Sequence, residues 1–301
     1  MNVLIVGGTG FLGSALARRL LQRGHKVSLL SRRPSAPRAT PPIYHWDPTR
    51  DEFDANALQG ADGVVNLAGQ DLAEGRWTAA RKRALVTSRV DATRYLVGRL
   101  REREPKPRVL VSASAVGIYG NRGEEVLTEE SAPGTGFLAD LCRDWEEAAL
   151  EARAAGTRVV VTRFGVVLDS GGGMLRRILP IFGLGLGGPL GNGRQWLSWV
   201  TLLDLVQVVE MALEREDATS PINVVAPAPA RSRDFARTLG RVLGRPALLP
   251  APAPALRLVF GEMADDALLS SACVSPKRLT SLGYRFAFED LERALRNALR
   301  A

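Results

Sequence analysis

The stretch Asn2-Val3-Leu4-Ile5-Val6-Gly7-Gly8-Thr9-Gly10-Phe11-Leu12-Gly13 decides how the chain is read. Val3 to Val6 form a strand-sized apolar run that ends abruptly in glycine, and from Phe11 to Gln22 the apolar positions recur at helical spacing. A glycine pattern alone is a weak signal; between a strand and a helix it becomes a dinucleotide-binding signature. In that setting Gly7 permits the tight turn, Gly10 lets backbone come close to a pyrophosphate, and Gly13 lets the helix lie close on the strand. The start of the helix adds unpaired N–H groups and a partial positive charge for phosphate. Gly7, Thr9, Gly10, Phe11, Leu12 and Gly13 are therefore the first candidate cofactor residues.

Outward from this segment, strand-like runs at Asn2 to Val6, Lys26 to Leu30, Gly63 to Leu67, Arg108 to Ser112 and Arg158 to Arg163 alternate with helical patterns. The helices are expected at Phe11 to Gln22, Thr78 to Glu102 and Phe137 to Ala155. The alternation specifies an α/β fold, a doubly wound parallel (Rossmann) sheet covered on both faces by right-handed crossovers. After Arg163 the punctuation changes, with Gly171-Gly172-Gly173 before a short helix and a glycine-dense loop from Gly183 to Gly193. We expect a Rossmann domain over residues 1–168 with return segments at about 201–226. Residues 169–200 and 227–301 then form a smaller C-terminal substrate lobe, ending in an amphipathic helix at Phe288 to Leu299.

The end of the second strand chooses the cofactor. An NAD site places an acidic residue there against the ribose 2′-hydroxyl. This chain has no carboxylate between Gly13 and Asp47 and presents Ser31, Arg32 and Arg33 instead. Guanidinium groups pair bidentately with phosphate, where a carboxylate would repel it, so the segment selects NADP(H) with its 2′-phosphate. Asn66, Leu67, Ala68 and Gly69 end the Gly63 strand in small residues that let adenosine and ribose pass close to backbone. Arg89, seven residues after Lys82 on the following helix, is expected to share a face with it that looks towards the cofactor.

The 301 residues carry a net charge of +8, but the basic residues are dispersed and neither a nucleic-acid module nor an interleaved basic and aromatic stripe is present. The charge reads as a solvated, arginine-rich surface, and no nucleic-acid partner is expected. Cys142, Cys273, His25 and His45 lie far apart in sequence with no metal-ligand spacing, so neither a disulfide framework nor a metal site is expected. No apolar run approaches the roughly 18 residues of a membrane helix and no signal-peptide pattern opens the chain, so the expectation is a cytoplasmic protein without a membrane partner.

With these residues in place, the chain resembles the extended (atypical) short-chain dehydrogenase/reductase proteins, and within them the SDR39U1-like epimerase family. The likeness rests on Gly7 to Gly13, Ser31-Arg32-Arg33-Pro34, Asn66 to Gly69, Trp77 with Ser88-Arg89, Val111 to Gly120, Arg163 to Leu168, Gly183 to Trp199, and Pro276 to Tyr284. It implies nucleotide-sugar epimerase or dehydratase activity. It also implies a catalytic hydroxyl at Ser114 and a cofactor contact at Ser112, in Ser112-Ala113-Ser114-Ala115. The chemistry of such folds further needs a Tyr and, four residues on, a Lys whose ammonium lowers the phenol pKa. By the resemblance, Phe137 and Leu141 would occupy those positions, and none of Tyr44, Tyr95, Tyr119 or Tyr284 has a lysine four residues later.

Cys142 falls on an apolar helix face with Leu138, Leu141 and Trp145 and reads as a core thiol, while Tyr119 is close enough to the Ser114 strand to enter the same cleft. The segment Gly183 to Gly193 with Arg194-Gln195-Trp196 reads either as a mobile cover over an anionic or planar ligand or as a hairpin tip. The leading expectation is an NADP(H)-dependent oxidoreductase or epimerase-like enzyme for an unidentified small substrate, with Ser114 polarising the reacting oxygen. The alternative is a catalytically silent NADP(H)-binding redox sensor. The long helices at Thr78 to Glu102 and Phe137 to Ala155 would suit a homodimer.

Overall fold

The computed structural model describes residues 1–32 and 40–300. Eight strands form one sheet: β1 (Asn2–Val6), β2 (Lys26–Ser31), β3 (Ile43–Asp47), β4 (Glu52–Phe53), β5 (Gly63–Asn66), β6 (Val109–Ala115), β7 (Arg158–Phe164) and β8 (Ile222–Val224). Their spatial order is β4-β3-β2-β1-β5-β6-β7-β8, and every neighbouring pair is parallel except β3 with β4. The expected doubly wound sheet is present.

Alternation along the strands builds two cores. Val3, Ile5, Val65 and Val111 join Leu16 and Leu20 of α1 (Phe11–Gln22) in one cluster. Leu4, Val6, Val64 and Leu110 point the other way and meet Leu96, Val97 and Leu100, which lie on the long helix after β5. Each of these side chains, once fully buried, contributes about 1.5–3 kcal/mol relative to exposure.

That long helix is not continuous. It runs as α2 (Ala79–Val86), a π turn (Thr87–Asp91) and α3 (Ala92–Arg101). A periodic apolar pattern hides such an insertion, because the stripe resumes on the far side. The strand β3 was likewise not anticipated; it pairs with β2 from Leu29 opposite Ile43. β6 extends three residues beyond the expected end, so Ser112 and Ser114 lie inside a strand, and the next helix, α4 (Phe137–Leu150), finishes in a 3-10 turn (Glu151–Ala155).

After β7 the chain leaves the sheet for α5 (Gly173–Gly183), returns through α6 (Leu202–Glu214) and β8, then leaves again through α7 (Ser232–Leu243) and α8 (Ala253–Phe260). Leu175, Phe182, Trp199, Phe235, Leu239 and Leu295 make a third, separate core for these outer segments. The last helix spans Leu291–Ala298, shorter than expected because Asp290 caps it, accepting a hydrogen bond from the Arg293 N–H at 2.9 Å. Among the described residues no helix is long and apolar enough to cross a membrane.

Candidate functional site

β1 has β2 on one side and β5 on the other, the switch point where open parallel sheets bind ligands beyond their carboxyl ends. A cavity of about 1040 Å³ opens there, its walls including Gly7, Gly10, Ser31, Arg32, Ala68 and Gly69. Gly7 has φ +75°, and a Cβ on it would stand 2.9 Å from the Leu67 carbonyl oxygen; a Cβ on Gly13 would fall 2.4 Å from the Gly7 oxygen. These two glycines let β1, α1 and the end of β5 meet. Gly10 differs: a Cβ there meets only the Gly7 oxygen, at 3.2 Å, and the residue lines the cavity. It also caps α1, with no side-chain cap and no acidic residue in the first turn, so among the described residues no side chain claims the amides at that end.

Thr9 and Ser31 bring their hydroxyls within 3.2 Å of each other, and the exposed Arg32 follows on the cavity wall. Arg33 lies outside the described residues. Phe11 turns towards the outer segments, where a Cβ on Gly172 would stand 2.5 Å from its ring, and Leu12 is half-buried against the core.

Asn66 is fully buried; its amide donates to Thr93 Oγ1 at 2.8 Å and its Oδ1 accepts the Ala68 N–H at 3.2 Å. It shapes the turn that puts Leu67, Ala68 and Gly69 on the wall, and does not itself line the cavity. Ser112, 1 % exposed with its Oγ 3.5 Å from the Asn66 amide, belongs to the same support.

Arg89 sits in the π turn, buried beneath Gly69. Its Nη2 donates to the Gln70 carbonyl at 2.7 Å, its guanidinium lies 5.4 Å from the centre of the Trp145 ring, and burial draws its pKa down to about 10. Lys82 and Arg89 both lie against α4, and neither lines the cavity. Lys82 pairs with Glu262 and lies 4.9 Å over the Phe137 ring.

Ser114 is only 2 % exposed, and its hydroxyl donates to Glu146 Oε1 at 2.7 Å. Glu146 is held by Arg163 through two 2.8 Å bonds; Arg163 donates to the Tyr119 hydroxyl at 2.8 Å, which donates to Asn223 Oδ1 at 2.7 Å. Burial opposes the charge on Arg163, but Glu146 and Tyr119 outweigh it and hold the guanidinium above its ordinary value; burial raises the Tyr119 phenol. Tyr119 thus lies inside the protein and not in a cleft. Cys142 is a core thiol, pushed up to about 12 by burial and then by Glu146. Phe137 is half-buried with its ring centre 5.3 Å from that of Trp77, and Leu141 is buried.

Trp196 does not offer an open ring. Its indole N–H donates to Glu124 at 3.1 Å, and Arg231, itself paired with Glu124, covers the ring at 3.9 Å; Arg194 is exposed. Folding also assembles His25, Glu210 and Glu214, residues distant in sequence, with potential ligand atoms within 4.8 Å of one another. Glu210 is already held by Arg19 at 2.7 Å and Arg23 at 3.0 Å, which neutralise the charge a cation would need. Several cavity residues escaped the sequence reading: Trp46 and Pro48 at the end of β3, and Arg81, Thr87 and Ser88 around the π turn. The alternation in Ile43-Tyr44-His45-Trp46 was the available signal for the first two.

The family model for the NAD dependent epimerase/dehydratase family matches residues 3–225, the whole of the sheet, and a domain of unknown function, DUF1731, matches residues 251–298. The chain belongs to the NAD dependent epimerase/dehydratase family. An epimerase family protein of Mycobacterium bovis is 42% identical to this member over 97% of its chain and 96% of the relative's own length. The human epimerase family protein SDR39U1 is 38% identical over 98% and 99%. A crystal structure of human SDR39U1 with NADPH superimposes with a TM-score of 0.91 at 34% identity, covering 100% of both chains. A UDP-glucuronic acid 4-epimerase from Bacillus cereus, in complex with UDP-glucuronic acid and NAD, shares the fold at 17% identity and a TM-score of 0.78.

Proposed function

We propose that this epimerase-family protein binds NADP(H), with the pyrophosphate at the start of α1, the 2′-phosphate beside Thr9, Ser31 and Arg32, and the second mononucleotide over the ends of β5 and β6. The observation that carries the reading is the cradle itself: a glycine-lined cavity ending in a hydroxyl pair and an arginine, with no carboxylate where an NAD site has one. The NADPH-bound human relative supports it. When bound, the dinucleotide supplies hydride-transfer chemistry.

Two uses of that site follow. One is oxidoreductase or epimerase-like turnover of an unidentified small substrate. The other is a catalytically silent protein whose cofactor state is read by a partner. The commitment of Ser114 to Glu146, with Phe137 and Leu141 at the Tyr and Lys positions, favours the second: no proton relay of the usual kind is available among the described residues.

The test is calorimetric titration with NADPH, NADP, NADH and NAD, repeated with Arg32→Asp and Gly10→Val. Tight binding of the phosphorylated pair is expected, with phosphate preference lost in Arg32→Asp and all binding weakened in Gly10→Val. Failure of every dinucleotide to bind would overturn the assignment. A carbonyl and nucleotide-sugar screen separates the two uses, since turnover of any compound would sink the silent reading.

A further inference from the structure

Among the described residues, Arg89 is a buried cation with nothing of opposite charge against it. The residue is 8 % exposed, and its strongest hydrogen bond, 2.7 Å, goes to a neutral carbonyl. Asp71 acts on it only from a distance and is bound to Arg177 across the turn, while Arg81 repels it. Cys142, its other electrostatic neighbour, is kept protonated by burial. Burying an unpaired charge is expensive, and chains retain such a group where a ligand repays the cost. The π turn that carries Arg89 is a second and independent mark, because one-turn π insertions cluster at functional sites and disturb an otherwise regular helix.

Its position tells which part of the ligand it addresses. Arg89 lies between the Gly69 turn at the end of β5 and Trp145 of α4, which packs on β6. β5 and β6 open the second half of the doubly wound sheet, and in such sheets the first half takes the adenosine mononucleotide and the second the nicotinamide mononucleotide. The turn after β5 therefore faces the nicotinamide side and not the adenosine that Asn66 to Gly69 suggested in sequence.

We propose that Arg89 sets the redox preference of the site: its uncompensated charge beneath the nicotinamide half disfavours the cationic oxidised ring and retains the neutral reduced one. The inference rests on the NADP(H) assignment above. At a separation of roughly 10 Å and an effective dielectric of about 20, two unit charges repel enough to change affinity on the order of tenfold. The effect falls on the ring and not on the 2′-phosphate, so it applies equally to the non-phosphorylated pair. Preference for phosphate and preference for reduction are thus carried by different arginines, Arg32 on the cavity wall and Arg89 buried behind the Gly69 turn.

The experiment is calorimetry on the full chain with all four dinucleotides, comparing wild type, Arg89→Gln and Arg89→Lys. Wild type is expected to bind NADPH on the order of tenfold tighter than NADP, with NADH and NAD in the same ratio. Arg89→Lys keeps the ratio, and Arg89→Gln brings it to within about twofold while the preference for phosphate stays. Should the glutamine variant not fold, Arg89→Met, which keeps the aliphatic stem against Trp145, is expected to give the same collapse. A wild-type ratio near one, or an unchanged ratio in the neutral variants, overturns the role of Arg89 and leaves the cofactor assignment standing. Binding of none of the four overturns both.

Discussion

At the residue scale, Ser114 shows how one hydroxyl separates support from chemistry. It gives its proton to Glu146, which Arg163 holds on both oxygens, so the serine stabilises a buried ion pair between α4 and β7. Ser114→Ala is expected to cost about 1–2 kcal/mol in denaturant unfolding, as one hydrogen bond to a charged group is lost while Arg163 remains. NADPH affinity should stay within about twofold; a larger loss measured by calorimetry would place Ser114 at the ligand after all.

Cys142 gives a second expectation at this scale. Its thiol keeps its proton up to about 12 in the fold, against an ordinary value of 9.0 once unfolded. Between those values the unfolded chain binds fewer protons than the native one, so stability falls as pH rises, by at most about 1.4 kcal/mol per pH unit from this group. Below about pH 9 the thiol costs nothing. Cys142→Ala should flatten the alkaline arm of a stability-against-pH curve, and an identical slope in both proteins would refute the shift.

At the scale of elements, the sequence was most legible where a period or a glycine reports a local requirement. β1, the Gly7 to Gly13 turn and α1 were all found at their observed bounds, because strand alternation, turn and helical stripe follow one another without interruption. The π turn was not legible: a helical stripe says which side is apolar but not that one extra residue has been looped into it. Lys82 and Arg89 both pack on α4, but neither lines the cavity that the sequence expected them to face. The buried chain runs from Ser114 through Glu146, Arg163 and Tyr119 to Asn223 with single bonds spanning up to 104 positions, and no spacing rule links them. Of the cavity, the wall formed by the Gly7 to Gly13 turn and the end of β2 was readable, since it is contiguous and rich in glycine. The rest of its wall, from Trp46 to the residues before the π turn, depends on contacts between segments that only folding brings together.

At the scale of the whole molecule, the outer segments lean on the start of α1. Gly172 is in an extended conformation that any residue adopts, yet a Cβ there would stand 2.5 Å from the Phe11 ring. Gly172→Leu should therefore leave the sheet folded while displacing Phe11 and the first turn of α1, weakening NADPH binding by about tenfold or more if the amides of that turn hold the pyrophosphate. An unchanged dissociation constant would show that the contact is incidental.

The last strand of the sheet has a consequence for how the protein is made. β8 is drawn from residues 222–224, long after its neighbour β7 at 158–164, and it brings Asn223 to the Tyr119 hydroxyl. Until residues 222–224 are made, β7 lacks its outer neighbour and the Tyr119 hydroxyl lacks its acceptor on Asn223. A chain halted before Ile222 would carry β7 as an open sheet edge, the kind of edge that invites wrong pairing and that chaperones cover.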